Sequence, residues 1–210
     1  MDPRFFWGKI VDNIDPDGLN RVKITKEEED ESITEWIPVL TYYGGDDMGL
    51  SILPEVDDQV LVATLDDESG LKVVIGSVWS NDSLPPETKE NTDADLNKDG
   101  ENSLRFFKSR AGNQLIFDDT DGEEKIQLIA ADGKTRIEFC VDEEMLSLIT
   151  EHDMAIKSCG VLSIQAEEIE ISSEKEVNIN TEDYQQKAEK SSKMTADGDF
   201  DIKGSGVALN

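Results

Sequence analysis

Short pairs of apolar residues, each pair separated by one residue, recur about every eight positions near the end of the chain. Apolar residues at i and i+2 indicate a strand with one apolar side, and the short spacing leaves room for a turn between strands. Each strand is too short to bury itself, so the strands are expected to stack on one another or on other copies of the chain. The pairs are Met154 and Ile156, Leu162 and Ile164, Ile169 and Ile171, Val177 and Ile179, Phe200 and Ile202, and Val207 and Leu209.

This repeat predicts an intertwined trimer. One copy offers only a narrow apolar stripe, which cannot offset an ordering cost of about 1–2 kcal/mol per residue. Three copies wound about an axis can close a triangular prism, with each copy supplying one wall. A parallel β-helix formed by a single chain is the alternative, but it needs longer coils of about 20 residues or more. The predicted trimer core consists of Ile156, Ile164, Ile171, Ile179 and Ile202.

One part of the repeat has a weak apolar signal. Residues 184–192 are mostly polar and could form a short helix. We expect extended structure there, because the apolar pattern resumes in phase at Met194 and Ile202.

The first eighty or so residues have a different strand pattern. Turn-forming segments at 15–18, 44–47 and 66–70 separate the strands, and the acidic run 27–31 is expected to be a solvated loop. No helical period is present, so a small closed barrel is predicted, and the five-stranded OB fold is the smallest common form. The predicted strands are residues 5–11, 19–25, 35–41, 59–65 and 71–78.

Polar sequence separates this barrel from the strands that follow. Residues 81–103 are rich in acidic and polar residues and read as a linker. Strands return at Leu104, and charged turns separate them. We therefore predict an all-β chain with an OB-fold domain over 1–82, a linker over 83–103 and a β-helical spike domain over 104–210.

The chain is strongly acidic. Its formal net charge is −28, and the excess is spread over the whole length. Phosphate binding needs clustered Lys and Arg, so nucleic acid and anionic lipid are disfavoured as partners. The opening residues form no secretory signal and no apolar run could span a membrane, so synthesis in the cytoplasm is expected. There Cys140 and Cys159 are expected to be buried thiols and not a disulfide.

Candidate chemistry is sparse. Residues 95–100 match the first half of an EF-hand loop, but the twelfth position is Phe106 where a Glu is needed, so an acidic turn is favoured. His152 lies between Glu151 and Asp153, and one histidine without further ligands or a positioned partner is expected to be a surface residue. We predict no catalytic site, no metal, no cofactor and no enzymatic activity.

Three tryptophans fall in the predicted barrel. Trp7, Trp36 and Trp79 could stack on single-stranded nucleic acid, as aromatic residues of many OB folds do. The acidic charge of this half argues against that, so packing in the core or at a subunit interface is favoured.

Eight segments of the chain carry a resemblance to known proteins. They are 8–11 (GKIV), 15–24 (DPDGLNRVKI), 36–39 (WIPV), 53–62 (LPEVDDQVLV), 74–79 (VIGSVW), 81–86 (NDSLPP), 108–119 (KSRAGNQLIFDD) and 122–126 (GEEKI). Together they resemble the phage baseplate assembly protein V family and the VgrG-type spikes, in the family's order through the barrel, its Pro-Pro exit and the start of the spike. Asp57 departs from the pattern, because the family commonly has Gly in that turn; Asp tolerates a positive φ at modest cost.

The resemblance implies the central spike of a contractile injection apparatus. It implies a homotrimer that docks through its OB domains on a hub protein at the end of the inner tube, within a phage tail-like or extracellular injection particle. VgrG proteins carry a hub module before the barrel; this sequence begins at the barrel, so a separate hub protein is expected.

The far end of the spike is expected to carry a PAAR-type tip protein, with transient contact to the target cell envelope. The predicted tip interface is Val207, Ala208, Leu209 and Asn210. Two alternatives remain: a rod-like adhesin, which would need a globular receptor-binding end, and a β-helical glycan-degrading enzyme.

Overall fold

A computed structural model describes residues 4–26, 32–66, 70–88 and 100–207. The chain divides into two units, residues 1–155 and 156–210. Within the described ranges every regular element is a strand, and no helix has the length and hydropathy needed to cross a bilayer. The strands are β1 (Arg4–Asp12), β2 (Arg21–Lys26), β3 (Ile37–Pro38), β4 (Gly44–Gly45), β5 (Met48–Gly49), β6 (Gln59–Asp66), β7 (Leu71–Ser77), β8 (Leu104–Lys108), β9 (Gln114–Asp118), β10 (Lys125–Ile129), β11 (Thr135–Cys140) and β12 (Met145–Thr150).

Strands β1, β2, β3, β6 and β7 form a nearly closed barrel. Its sheet has the order β3-β2-β1-β6-β7, and neighbouring strands are antiparallel. The two edges meet just after β3, where Val39 pairs in parallel with Val74 and the Leu40 N–H donates to the Val74 carbonyl at 2.8 Å. This strand order with a parallel closure is consistent with the predicted OB fold.

Alternation along the strands gives the barrel its core. Residues two apart on a strand point to the same side, so β1, β2, β6 and β7 each send apolar side chains inward. Gly8 lies where a Cβ atom would come within 2.7 Å of the Ile24 Cδ1 atom, so a side chain there would crowd a fully buried neighbour. The buried core comprises Ile10, Val22, Ile24, Ile37, Val60, Val62 and Val74.

Two parts of the barrel differ from the sequence prediction. The strand expected over 35–41 is only two residues long as β3, because Val39 leaves β2 to pair with β7. The turn expected over 44–47 is part of a small hairpin, β4–β5. The acidic run 27–31 lies outside the described residues.

The strands from Leu104 onward form a five-stranded antiparallel meander with the order β12-β11-β10-β9-β8. Tight turns join them, and several turn residues have positive φ, among them Gly112, Gly122, Gly133 and Glu144. A small buried cluster of Leu104, Ile116 and Ile129 lies on one face. Thr88, from the predicted linker, is 3% exposed and lines a groove beside Leu104 and Ile116.

The second unit has regularly spaced bends. The backbone bends at residues 159–160, 167, 174–175, 182, 189–190, 197–198 and 205, a step of seven or eight residues. Apolar residues fall in phase with these bends, at the second and fourth position after most of them. We refer to these positions as the inner positions and to the stretch between two bends as a segment.

The segments have no strand partners within the chain. Among the described residues the last paired strand is β12, and every described residue of 156–207 is exposed. Residues 184–192 form no helix, as predicted; they form no strand either, and the backbone bends at residues 189–190. The described residues 156–207 therefore bend at regular intervals but form no sheet within one chain.

Candidate assembly surfaces

The most unusual surface is one side of the meander. Strand register places two rows of side chains across all five strands. One row runs from Arg105 to Leu146 and the other from Phe107 to Leu148, and apart from Arg105 every member is apolar. We call these apolar members the apolar face: Phe107, Leu115, Phe117, Ile126, Leu128, Ile137, Phe139, Leu146 and Leu148.

The apolar face is open. Ile137 is half-buried. The exposed fractions of the other eight side chains range from 38% for Leu115 to 58% for Leu146. Monomeric proteins rarely leave a contiguous apolar surface of this extent uncovered, and such surfaces mark interaction sites.

The opposite side of the same sheet is more polar and yet more buried. Gln127 and Asp118 are 3% and 7% exposed. The Gln127 amide donates to Glu138 Oε1 at 3.0 Å, and Arg136 Nε lies 2.8 Å from the same oxygen. Asp118 accepts hydrogen bonds from the Thr120 N–H and hydroxyl at 3.0 and 2.6 Å. This side also carries the buried cluster of Leu104, Ile116 and Ile129, so the side chains that the single copy buries and ties down lie here, while the apolar face stays open.

A second apolar patch lies on the outside of the barrel. Cross-strand neighbours share a face, so the register puts Phe5, Ala63 and Val73 in one row and Trp7 beside Leu61 in the next. Phe5 and Trp7 are 57% and 42% exposed, whereas Ala63 is 3% exposed. We call these five residues the barrel wall patch.

The segment between β3 and β6 also presents large apolar groups. Tyr42 is fully exposed, and Tyr43, Met48, Leu50 and Ile52 are exposed as well. The hairpin is held by its own contacts, since the Thr41 hydroxyl donates to the Leu50 carbonyl at 2.6 Å and the Tyr43 hydroxyl lies 3.3 Å from Met48 Sδ.

The predicted trimer core lies along the second unit. Its residues occupy inner positions of successive segments and none is buried within the chain. The exposed fractions are 66% for Ile156, 69% for Ile164, 78% for Ile171, 64% for Ile179 and 58% for Ile202. Of the predicted tip interface, Val207 is 54% exposed, and Ala208, Leu209 and Asn210 lie outside the described residues.

The remaining candidates gain no chemistry from the structure. His152 is a surface residue, as predicted, with Nε2 3.0 Å from Asp132 Oδ2. In the part of the chain that the structure describes, no three His, Cys, Asp or Glu residues come together as a metal site. The start of the EF-hand-like run, residues 95–99, falls outside that part.

The cysteines and tryptophans depart in part from expectation. Both cysteines are free, as predicted, but neither is buried within one chain: Cys140 is half-buried and Cys159 is exposed, so the prediction of two buried thiols is wrong. No tryptophan belongs to the barrel core. Trp36 is half-buried with the Lys23 ammonium 4.9 Å from its ring centre, while Trp7 and Trp79 are exposed.

The apolar face and the barrel wall patch were missed by the sequence analysis. The sequence nevertheless contains a signal for the apolar face, because three pairs of its residues have the same i, i+2 spacing as the later pairs. They are Leu115 and Phe117, Ile126 and Leu128, and Leu146 and Leu148. Period alone does not say which side of a sheet stays uncovered, so the surface could be found only once the register was known.

The described chain is thus an all-β protein with a nearly closed barrel, a meander with an open apolar face and a regularly bent repeat. The comparison with protein families agrees. Residues 6–79 match the model of a family described as the type VI secretion system/phage-baseplate injector OB domain. The predicted resemblance to baseplate spike proteins is thereby confirmed over the barrel. No curated protein matches the chain.

Proposed function

We propose that this chain is the central spike of a contractile injection apparatus and that it acts as a homotrimer. In this proposal the barrels dock on a hub protein at the end of the inner tube, and residues from about 104 onward form a needle that pierces the target envelope. The family match supports a baseplate role. The observation that carries the trimer is the apolar face, which one copy leaves uncovered.

Three copies solve the burial problem of each sheet. If three meanders turn their apolar faces toward a common axis, they close a prism whose interior is apolar and whose outside carries the hydrogen-bonded polar side. In the second unit, the inner positions of the repeat would supply an apolar interior along residues 156–202 when three copies come together. The barrel wall patch offers a further contact between barrels. Burial of a Leu, Ile or Phe side chain contributes about 1.5–3 kcal/mol.

Such a needle would be stiff for a simple reason. Each extended segment would find its backbone partners on neighbouring copies, and a backbone hydrogen bond contributes about 0.5–1.5 kcal/mol net. Many such bonds acting side by side share an axial load, so that no single bond has to be strong. We propose no enzymatic step, since the function is mechanical.

The proposed tip interface is the apolar stretch Val207 to Leu209. Exposed apolar side chains next to unpaired strand edges are a site at which another protein can bind. A PAAR-type tip protein is the proposed partner, and Gly204 and Gly206 allow the chain to bend closely there. Deletion of residues 205–210 should abolish binding of a co-expressed PAAR-type protein and leave the trimer intact. Retained binding would reject this interface.

The trimer is tested by a charge placed on the apolar face. Leu128→Asp puts three carboxylates into the proposed interior and should lower the measured mass in solution from three chains to one, or prevent assembly altogether. Leu84→Asp is the matched control, because Leu84 is 74% exposed and outside all the surfaces defined above. If Leu128→Asp keeps the mass and melting behaviour of the unmodified protein, the apolar face is not the interface.

A further inference from the structure

One place in the repeat breaks the apolar pattern. In the segment 183–188 the inner positions are Tyr184 and Gln186, and in the next segment the first inner position is Ser192. In the other segments of residues 156–205 that the structure describes completely, both inner positions are apolar. The break therefore covers parts of two adjacent segments, and it lies between Ile179 and Met194.

These polar groups contact one another. The Tyr184 hydroxyl donates to Gln186 Oε1 at 3.4 Å, and the Gln186 amide donates to Ser192 Oγ at 3.4 Å. The three side chains thus form a hydrogen-bonded chain along the inner side, which joins one segment to the next. We call them the polar layer.

The polar layer keeps unused hydrogen-bonding capacity in one copy. A glutamine amide has two donor hydrogens and an acceptor oxygen, and a serine hydroxyl can donate as well as accept. The contacts above use one amide hydrogen and one lone pair of the carbonyl oxygen. In a closed prism, apolar residues above and below would exclude water, so the same groups of the other two copies are the partners within reach.

The apolar layers by themselves leave the axial alignment of the copies open. The second inner position is isoleucine in four successive segments, at Ile156, Ile164, Ile171 and Ile179. A copy that slips by one segment would find nearly the same side chains there. In the slipped arrangement, however, Gln186 would face Ile179 or Met194 of its neighbours and leave buried amide groups without partners, which is unfavourable.

We infer that the polar layer of Tyr184, Gln186 and Ser192 sets the register in which three copies of the chain wind together. The inference rests on the proposed trimer and adds to it the residues that decide how the copies align. A buried polar residue fixes register in coiled coils by the same physics, at some cost in stability.

The test compares two changes of the same kind on opposite sides of the chain. Gln186→Leu combined with Ser192→Val makes the layer apolar, and Gln185→Leu makes the same exchange at the neighbouring outward position. In each protein Cys140 and Cys159 are replaced by Ser, and Lys193→Cys carries a spin label. Each full chain is unfolded, refolded and isolated, and the distances between labels are measured by pulsed electron resonance.

The unmodified layer and the Gln185→Leu control should each give one narrow distance distribution. The apolar layer should give additional, longer distances, with the misaligned fraction raised about tenfold, the ratio that the loss of one buried hydrogen bond produces. Its melting temperature should be equal or higher, since apolar residues replace buried polar ones. Gln186→Ala provides a second variant that adds no volume and should also raise the misaligned fraction.

The outcomes separate this inference from the proposed function. A monomeric mass for the unmodified protein would overturn both. A trimer in which the apolar layer and Gln186→Ala both retain the single narrow distribution would overturn the register inference alone and leave the trimer standing.

Discussion

At the scale of single residues, the barrel depends on a carboxylate that organises a turn. Asp15 accepts backbone N–H groups of Asp17, Leu19 and Arg21 at 3.0–3.2 Å and the guanidinium of Arg21 through both oxygens at 2.7 and 2.8 Å. The Arg21 hydrogen bonds are the main reason that the pKa of Asp15 lies far below its ordinary value, and the backbone donors add to the effect. The start of the sequence motif 15–24 is therefore a turn that the Asp15 carboxylate holds together through hydrogen bonds.

This turn makes stability depend on acid. Because the folded-state pKa of Asp15 is depressed, its contribution is fully present above its ordinary pKa of 3.8 and is lost as the pH falls through the lower folded-state value. Asp15→Asn should lower the melting temperature at neutral pH, and the gap to the unmodified protein should shrink as the pH falls below 3.8. Scanning calorimetry across that range measures the gap. A gap that stays constant with pH would contradict this role.

Asp57 provides a second test at this scale. Its φ is 77°, a left-handed conformation that glycine adopts freely, as the family's usual residue in this turn suggested. Its carboxylate lies 2.7 Å from Lys9 Nζ in an exposed pair, which contributes little. Both Asp57→Gly and Asp57→Ala lose the pair, so their difference isolates the backbone.

We expect Asp57→Ala to be less stable than Asp57→Gly by about 1–2 kcal/mol, the cost of a Cβ atom in the left-handed region. Chemical denaturation of the two variants gives the difference. Equal stabilities would mean that the turn relaxes to another conformation when the aspartate is removed.

At the scale of elements, the repeat gives a prediction of its own. In the proposed trimer Ile171 faces the interior and Glu170, next to it, faces solvent. Ile171→Ala should cost about 2–5 kcal/mol per chain, as large-to-small changes in a core do. Glu170→Ala should change stability by less than about 0.5 kcal/mol. Thermal unfolding of the two variants compares them, and equal effects would show that the repeat has no inner side.

The elements also show what sequence patterns can and cannot predict. The long barrel strands, the strands after Leu104 and the extended repeat follow from local alternation, which depends on nearby residues only. The short β3 could not be predicted in this way, because its end is set by Val39 pairing with Val74, a residue remote in sequence. The apolar face was missed for the same reason, since it depends on the register of five strands.

At the scale of the whole molecule, the distribution of polarity points away from a self-sufficient monomer. The barrel has a buried core of its own, but the meander keeps its apolar side open and the second unit buries none of its described residues. Apart from the small cluster of Leu104, Ile116 and Ile129, most of the large apolar side chains of the meander and of residues 156–207 are therefore exposed in one copy. The net charge of −28 opposes nonspecific aggregation of such a chain, because the acidic surfaces of different copies repel one another.

The mass of the full chain in dilute solution tests this account most directly. Light scattering coupled to size exclusion, repeated over a dilution series, should give three times the 23.3 kDa of one chain at every concentration. A mass of one chain, with a single cooperative melting transition that does not depend on concentration, would contradict it.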